Sequence, residues 1–430
     1  MSCGKKVLII TSSGGGGLLQ AANAKEQEIK ALNPKAQVLQ RDVMTDWAWS
    51  LLGKFSVNQW NRAQIKGDVK TQSFWGAAVP AADCLFWLPI FFGALYTLFK
   101  QEIERVIDTQ VLGTSATLKA LRIYNRIKKK NVRLEKVLVD LPTKKAIHFF
   151  KPIRTLSQKD RKLFRLITVA PLLEKGETKE AFWKTHCNLT DEHVQYEDYY
   201  VRRSFAALRG MDRKAQNFGI KIRFQNRDEM ESILQAVHRG EAKYEIYERQ
   251  KEIRFVIEPT AFVVTVLLGS QPANHATAQY VLKCLELSSV NPFYLFVFCS
   301  NPPGKQKTLL RKVSELIDQH SAYPKNFTIV PMSFQNDDVI APLFFRSDIT
   351  CTRSGGQTAM ELLTVSKGQI WIHSEAELKK APLTEQELLA GIPGWESANA
   401  LYLQHLRGAK IVTTDTFAPL LKQVLGSFQK

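Results

Sequence analysis

The sequence predicts an α/β protein of two doubly wound domains, each with a parallel sheet covered by helices. Short apolar or β-branched runs alternate with helix-like segments toward both ends of the chain, and this alternation is typical of parallel sheets. The chain has 430 residues, which is more than one hydrophobic core usually spans. Two domains that face each other across a cleft are therefore expected.

The first domain begins with a strand, a glycine turn and a helix. An apolar run at 7–10 is followed by four glycines and by a helical pattern over 18–32, which an Asn-Pro pair ends. Further elements are expected as a strand at 36–39, a helix at 117–130 and a strand at 136–139. We assign residues 1–254 to this domain and interpret the charged, tyrosine-rich stretch at 172–254 as a helical elaboration of it.

The second domain has a more regular alternation, and we assign residues 255–415 to it. Strands are expected at 261–269, 293–300, 326–332, 348–353 and 369–374. Helices are expected at 276–287, 305–320, 337–345, 356–365 and 397–406, with a final helix at 416–430. Ligands of such sheets bind beyond the carboxyl ends of the strands, so the loops at those ends form the candidate site.

The charge distribution indicates an anionic partner. The formal net charge is +18, and residues 100–165 contain 18 Lys and Arg against 6 Asp and Glu. Such a patch suits a membrane surface or a nucleic acid, and a solvated basic face is the alternative. No RRM, KH or zinc-finger pattern occurs in the sequence, so no nucleic acid is expected as a partner.

The cysteines and the N-terminus indicate a reducing compartment. The six cysteines lie far apart without a CxxC pair, so neither a metal site nor a disulfide framework is expected. The apolar run at 7–10 is too short for the core of a signal peptide. We therefore expect a cytoplasmic location.

One apolar stretch, 85–99, suits either a domain core or a membrane interface. It begins at Leu85, ends at Phe99 and contains Pro89 and Gly93. Its 15 residues fall below the roughly 20 that a helix needs to span a bilayer. A core helix and a segment lying in the membrane interface remain as alternatives.

Two glycine-containing turns are candidate anion sites. The first is the run Gly14, Gly15, Gly16 and Gly17 after the first strand, and the second is Gly269, Ser270 and Gln271 in the second domain. At such strand-to-helix turns the backbone amides are able to meet an anion. The first run is neither a GxGxxG motif nor a P-loop, and a plain tight turn is the alternative for both.

The strongest pattern is TRSGGQTAME at 352–361, where a strand ends in a glycine pair at a helix start. The amides there are suited to a diphosphate. The residues of this turn are Arg353, Ser354, Gly355, Gly356, Gln357 and Thr358. Glu361 follows one to two turns into the helix, and its two oxygens are able to accept both hydroxyls of a ribose. A solvated Glu361 is the alternative, but its apolar sequence neighbours favour a buried functional carboxylate.

Three segments show a family resemblance. RSGGQTAMEL at 353–362 resembles the signature of the lipid-linked N-acetylglucosaminyltransferase of peptidoglycan synthesis and of monogalactosyldiacylglycerol synthases. WESANALYLQHLRGAKIV at 395–412 is similar to the segment of these families that faces the donor sugar, and TSSGGGGLLQAA at 11–22 is similar to their glycine loop. One departure is Gly17, which stands where the family usually has histidine.

A fourth segment suggests a catalytic base. VLVDLPTKKAIHFFKP at 137–152 resembles the strand and loop of diacylglycerol galactosyltransferases whose aspartate is the proposed base, and this aspartate maps onto Asp140. The histidine of that loop has no clear equivalent, and Lys144 and Lys145 stand near its place. His148 is a candidate substitute, with packing between its apolar neighbours as the alternative.

The resemblance implies a GT-B glycosyltransferase whose final helix crosses back to the first domain. It implies a UDP-sugar donor, with Ser270, Gln271 and residues 354–358 on the diphosphate, Glu361 on the ribose, and Glu396 and Asn399 on the sugar. Asp140 would deprotonate the acceptor hydroxyl in an inverting transfer that needs no metal or other cofactor. The implied acceptor is a lipid, and the stretch 85–99 with the basic segment after it suits peripheral attachment to an anionic membrane.

Two other classes of function stay open. A sugar-nucleotide epimerase has a similar fold but takes no acceptor. A non-catalytic nucleotide-sugar binder would keep the fold without the chemistry, and the missing histidine of the glycine loop makes this class worth considering.

Overall fold

The computed structural model describes residues 5–14, 16–48, 50–214, 216–287, 289, 291–299, 309–320, 323–377 and 383–428. It contains two six-stranded parallel sheets and one small antiparallel sheet. The two parallel sheets confirm the predicted pair of Rossmann-like α/β domains.

The first sheet consists of β1 (Lys6–Thr11), β2 (Gln37–Asp42), β3 (Arg105–Asp108), β4 (Leu134–Val137), β5 (Phe164–Thr168) and β6 (Val194–Tyr196). The strands pair in the order β2-β1-β3-β4-β5-β6, all parallel. Val7, Leu8, Ile9 and Ile10 of β1 are all buried, because the central strands of a parallel sheet are covered on both faces.

Within residues 1–254 the helices are α1 (Gly17–Leu32), α2 (Ser50–Lys66), α3 (Val69–Ala77), α4 (Val79–Leu85), α5 (Trp87–Gln101), α6 (Thr114–Lys128), α7 (Ile147–Arg154), α8 (Gln158–Arg161), α9 (Lys179–Cys187), α10 (Arg203–Ala206) and α11 (Arg227–Val237), and the last of these packs on the second domain. Helices α2 to α5 form an insertion between β2 and β3. This insertion supplies walls of the cavities described below.

Helix α5 has one buried and one exposed face. Ile90 and Leu98 are buried, and the helix packs on α6. Leu88, Phe92 and Tyr96 are 59%, 60% and 63% exposed, and their spacing of four residues puts them on one side of the helix. Among the described helices none is long and apolar enough by itself to cross a membrane, and only α4 with α5, bent by 61°, meets that criterion as a pair.

The stretch 172–254 differs from the expected helical elaboration of the first domain. It contains β7 (Phe218–Arg223), β8 (Tyr244–Tyr247) and the start of β9 (Glu252–Ile257), which pair antiparallel in the order β7-β9-β8. The rings of Phe255 and Phe296 lie 5.9 Å apart, and those of Phe218 and Phe345 lie 5.6 Å apart. The small sheet therefore packs on the second domain, and β9 runs across the expected boundary at 254/255.

The second sheet consists of β10 (Phe262–Leu267), β11 (Phe293–Phe298), β12 (Phe327–Met332), β13 (Ile349–Thr352), β14 (Gln369–His373) and β15 (Lys410–Val412). The strands pair in the order β12-β11-β10-β13-β14-β15, all parallel. Its helices are α12 (Asn274–Leu285), α13 (Leu309–Gln319), α14 (Asp337–Arg346), α15 (Gly356–Val365), α16 (Glu385–Ala390), α17 (Gly394–Arg407) and α18 (Thr414–Phe428).

The final helix, α18, stays on the second domain instead of crossing back to the first. The ring of Phe417 lies 4.6 Å from that of Tyr280, and the ring of Phe428 lies 5.0 Å from that of Phe262. The apolar face of the helix is thus buried against α12 and the second sheet. The predicted crossing is wrong because this face finds its aromatic partners within its own domain.

Candidate functional site

A cavity of about 140 Å³ lies between the carboxyl ends of the two sheets, and we call it the Glu361 cavity. The predicted site residues that line it are Gly16, Gly17, Ser270, Gln271, Arg353, Gly355, Gln357, Thr358, Glu361 and Glu396. The remaining lining residues are Gln20, Gln64, Arg202, Leu267, Gly269, Phe298, Phe334, Gln335, Ile340 and Phe344. The glycine turns of both domains thus meet at one cavity.

The first glycine turn approaches the second domain closely. Gly16 has a φ angle of 76°, in the left-handed region that glycine adopts without strain. A Cβ atom at this position would lie 2.7 Å from Ser270 Oγ. Position 16 therefore requires glycine for its backbone conformation and for the contact between the domains.

Helices α1 and α15 begin at this cavity. Their N-cap residues are Gly16 and Gly355, which have no side chain to accept from the first amides. These amides lack intrahelical acceptors, and the helix dipole favours negative charge near them. Two buried acceptors that line the cavity, Gln271 Oε1 and Gln357 Oε1, also find no donor among the described residues. The amides suit an anionic group of a ligand, whereas the two glutamine oxygens suit a group that donates hydrogen bonds.

Glu361 forms a buried ion pair that joins the two halves of the chain. Arg202 Nε and Nη2 donate to the two carboxylate oxygens of Glu361 at 2.7 and 2.9 Å. The relative exposures are 7% for Arg202 and 2% for Glu361. Gln357 Nε2 donates to the same carboxylate at 3.0 Å. Glu361 is therefore buried, as its apolar neighbours indicate, but the arginine opposite it is not evident from the sequence.

An ion pair within the second domain holds Glu396. Arg353 donates to its two carboxylate oxygens at 2.8 and 3.0 Å. Arg353 Nη2 also donates to Gln72 Oε1 of α3 at 2.8 Å. Ser354 is fully buried, and its hydroxyl donates to the backbone oxygen of Glu396 at 2.7 Å. Ser354 thus supports the turn, while Arg353 and Glu396 line the cavity.

Asp140 follows β4 and is held from the second domain. Asn399 Nδ2 donates to Asp140 Oδ1 and to the backbone oxygen of Ser354, both at 2.8 Å. Asn399 Oδ1 accepts from the amide of Leu141 at 2.6 Å. A Cβ atom on Gly356 would lie 2.7 Å from Asp140 Oδ1, so only glycine allows this approach. Asn399 positions Asp140 here, a contact that differs from its implied place on a sugar.

A second cavity, of about 230 Å³, adjoins the first, and we call it the Asp140 cavity. The residues lining both cavities are Gly17, Gln64, Gly355 and Glu396. The further lining residues are Ser12, Gly14, Leu18, Trp60, Gly76, Val79, Gln110, Val111, Leu112, Val139, Asp140, Phe149, Gly356 and Trp395. The indole Nε1 of Trp60 is a buried donor without an acceptor among the described residues. This cavity is therefore suited to a ligand that offers a hydrogen-bond acceptor as well as a group for Asp140.

Tyr200 is a buried residue close enough to Asp140 to be affected by its charge. Its hydroxyl donates to the backbone oxygen of Leu138. Burial raises the pKa of the Tyr200 phenol well above its usual range, and the charge of Asp140 adds to this increase. The phenol of Tyr200 therefore stays protonated near neutral pH.

The insertion helices α2 and α3 connect the domains over these cavities. The rings of Trp60 and Trp395 lie 5.0 Å apart, and Gly76 lies against Trp395. Together with the hydrogen bond from Arg353 to Gln72, these contacts make the insertion a wall of both cavities. Sequence reasoning missed these residues because nothing in the local pattern of 50–77 indicates a partner more than 280 positions away.

Two predicted site groups lie outside the described residues. Gly15 is one, and the side chain of His148 is the other. Their predicted roles stay predictions. Within the described ranges, no group of three or more His, Cys, Asp or Glu side chains is arranged to hold a metal ion.

Comparison with known proteins finds no matching family model and no matching curated protein. Among solved structures, the chain is similar to MurG of Acinetobacter baumannii, at 12% identity and a TM-score of 0.45 over 99% of this chain and 91% of that one. It is also similar to the calicheamicin glycosyltransferase CalG4, at 10% identity and a TM-score of 0.45 over 100% and 90%. A UDP-GlcNAc 2-epimerase from Neisseria meningitidis, bound to UDP-GlcNAc, has 11% identity and a TM-score of 0.40 over 93% and 91%. Both transferases and epimerases occur among these structures.

Proposed function

We propose that this protein is a glycosyltransferase that binds a nucleoside diphosphate sugar in the Glu361 cavity and transfers the sugar to a hydroxyl in the Asp140 cavity. The observation that supports this most is the junction of the two cavities through Gly17, Gln64, Gly355 and Glu396. The Glu361 cavity suits an anionic group, and the Asp140 cavity holds the buried carboxylate of Asp140. An epimerase takes no acceptor and has no use for the second compartment.

The donor would lie with its diphosphate at the start of α15. The amides of Gly356, Gln357 and Thr358 are the first of that helix, and the amides at the start of α1 lie opposite. Leu267, Phe298, Ile340 and Phe344 give the cavity an apolar wall for a base. Glu361 Oε2 would accept from a ribose hydroxyl in addition to Arg202, since each carboxylate oxygen has two lone pairs and those of Oε1 already accept from Arg202 and Gln357. UDP is the nucleotide that the sequence resemblance favours.

The transfer would be a single displacement. Asp140 takes the proton of the acceptor hydroxyl as its oxygen forms a bond to the anomeric carbon. The bond from that carbon to the diphosphate oxygen breaks, and its electron pair stays on the departing diphosphate. Attack from the opposite face inverts the anomeric configuration. The helix N-termini and the Arg353 guanidinium stabilise the charge that develops on the leaving group.

The proposed acceptor is a lipid at an anionic membrane. The exposed face of α5 presents Leu88, Phe92 and Tyr96, and Ile127 of the neighbouring α6 is also exposed. These apolar side chains lie beside the basic segment 100–165. A shallow apolar insertion and about 1 kcal/mol from each nearby Lys or Arg suffice for reversible attachment.

Radiolabelled nucleotide sugars test this function. We expect slow donor hydrolysis by the protein alone, and transfer of label into a lipid extract when vesicles are present. An Asp140→Asn variant is the matched control, because it keeps the shape of the side chain but cannot take a proton. Conversion of the sugar to its epimer without transfer would identify an epimerase, and UDP binding without either reaction would identify a non-catalytic binder.

A further inference from the structure

A third cavity, of about 580 Å³, opens beside the Asp140 cavity and has three cationic side chains. Lys145, Lys151 and Arg154 line one wall, and helices α3 and α4 form the other. We call this cavity the basic groove. Gly76, Val79 and Trp395 line both the groove and the Asp140 cavity, so the two are continuous.

We propose that the basic groove binds a phosphate group of the acceptor, which is a phosphate-bearing lipid with a free hydroxyl. This inference rests on the proposed transferase function and specifies its acceptor. The hydroxyl would reach Asp140 while the phosphate stays among Lys145, Lys151 and Arg154.

The charges of the groove are not neutralised by neighbouring acids. Among the described residues, no carboxylate lies within 4.0 Å of the charged groups of Lys145, Lys151 or Arg154, whereas the adjacent Lys144 pairs with Glu174. Asp83 is the acidic residue lining the groove, and its Oδ1 accepts from the amide of Gly113 at 2.6 Å. The groove is therefore a cationic concavity, which suits a phosphate better than a neutral headgroup.

The chain connects this cationic wall directly to the candidate base. Lys145 lies five positions after Asp140 in the loop that follows β4, and α7, which begins shortly after this loop, carries Lys151 and Arg154. A ligand anchored at this wall is therefore next to Asp140. If these basic side chains were only a solvated surface, the groove would have no reason to open into the Asp140 cavity.

The opposite wall connects the groove to apolar surface. Helices α3 and α4 contribute Ser73, Val79 and Pro80 to the groove. The same two helices expose Phe74 and Leu85, and α5 with its exposed apolar face follows directly. A phosphate in the groove with acyl chains along these helices matches a lipid better than a soluble phosphate ester.

Calorimetry on the full-length protein tests the groove directly. The probe is short-chain phosphatidylglycerol below its micellar concentration, compared with short-chain diacylglycerol, which has a hydroxyl but no phosphate. We expect the parent to prefer the phospholipid. The variant Lys145→Ala, Lys151→Ala, Arg154→Ala should bind it about tenfold more weakly or worse, a loss that corresponds to ~1.4 kcal/mol. Lys144→Ala, which removes a paired lysine from outside the groove, is the matched control and should bind like the parent.

The outcomes separate the groove from the donor site. Equal binding of the two probes by the parent, or unchanged phospholipid binding in the triple variant, would overturn the groove as a phosphate site. Inorganic phosphate that competes with the phospholipid supports phosphate as the recognised group, whereas tight binding of inorganic phosphate with no phospholipid binding would overturn the lipid. UDP binding is measured on the same samples: its retention in the triple variant confirms the fold, and its absence from the parent would reject the proposed transferase.

Discussion

Replacing Glu361 by alanine should change both the stability of the protein and its affinity for nucleotide. The carboxylate is 2% exposed and accepts two hydrogen bonds from Arg202. Removing one partner of a buried ion pair leaves the other charge without compensation, which costs about 3 to 5 kcal/mol. The free energy of unfolding of Glu361→Ala should therefore fall by about this amount. If Glu361 also holds the ribose, UDP affinity should fall by about 1.5 to 3 kcal/mol, the range for hydrogen bonds to a charged group.

A double variant separates the two effects. Arg202→Met, Glu361→Leu replaces the ion pair with apolar side chains of similar volume, and such replacements are often neutral or stabilising. We expect its stability in urea denaturation to return most of the way to that of the parent, while its UDP affinity by calorimetry stays low. Glu231→Ala is the control, because it breaks the exposed pair of Arg227 and Glu231 and should change stability by less than about 0.5 kcal/mol. A Glu361→Ala protein that unfolds and binds UDP like the parent would refute the reasoning.

Three further predictions concern the base, the membrane and pH. Asp140→Asn should lower turnover on the order of 100-fold or more in a transfer assay with little change in UDP affinity; parental turnover would make Asp140 structural. Phe92→Ser, Tyr96→Ser should abolish salt-sensitive flotation with anionic vesicles at nearly unchanged stability, since both side chains are exposed; a parent that never floats would remove the membrane role for those lipids. Burial alone would raise the pKa of Glu375, but the imidazole of His373, whose Nε2 lies 3.1 Å from Glu375 Oε1, lowers it overall. Glu375 therefore stabilises the fold above about pH 4.3, its pKa in the unfolded chain, and this contribution is lost as the pH falls further. In acid denaturation, the free energy of unfolding of Glu375→Gln should depend less steeply on pH than that of the parent.

The sequence predicts five of the six strands of the second sheet, because they are short apolar runs between helix-like segments, but it predicts only β1, β2 and β4 of the first sheet. It fails in 172–254, although one signal is present. From Ile253 to Ile257 the side chains alternate between buried and exposed, which is the period of a half-buried strand. The strong charge of this stretch conceals that alternation.

The candidate site is predictable only where one turn supplies the whole pattern. The turn at 353–358 and Glu361 belong to one strand and helix, so the sequence brings them together. Arg202 meets Glu361 across 159 positions, and Asn399 meets Asp140 across 259. Such pairings depend on how the two domains close, which no local periodicity describes.

The hydrogen bond from Asn399 to Asp140 has a consequence for the timing of the reaction. It joins a strand end of one domain to a helix of the other, so it exists only while the domains are together. In an open form the Asp140 carboxylate would lack the hydrogen bond from Asn399, so a base less precisely oriented for the acceptor would face any water that enters with the donor. Domain closure would then limit hydrolysis of the donor sugar by water until an acceptor is enclosed.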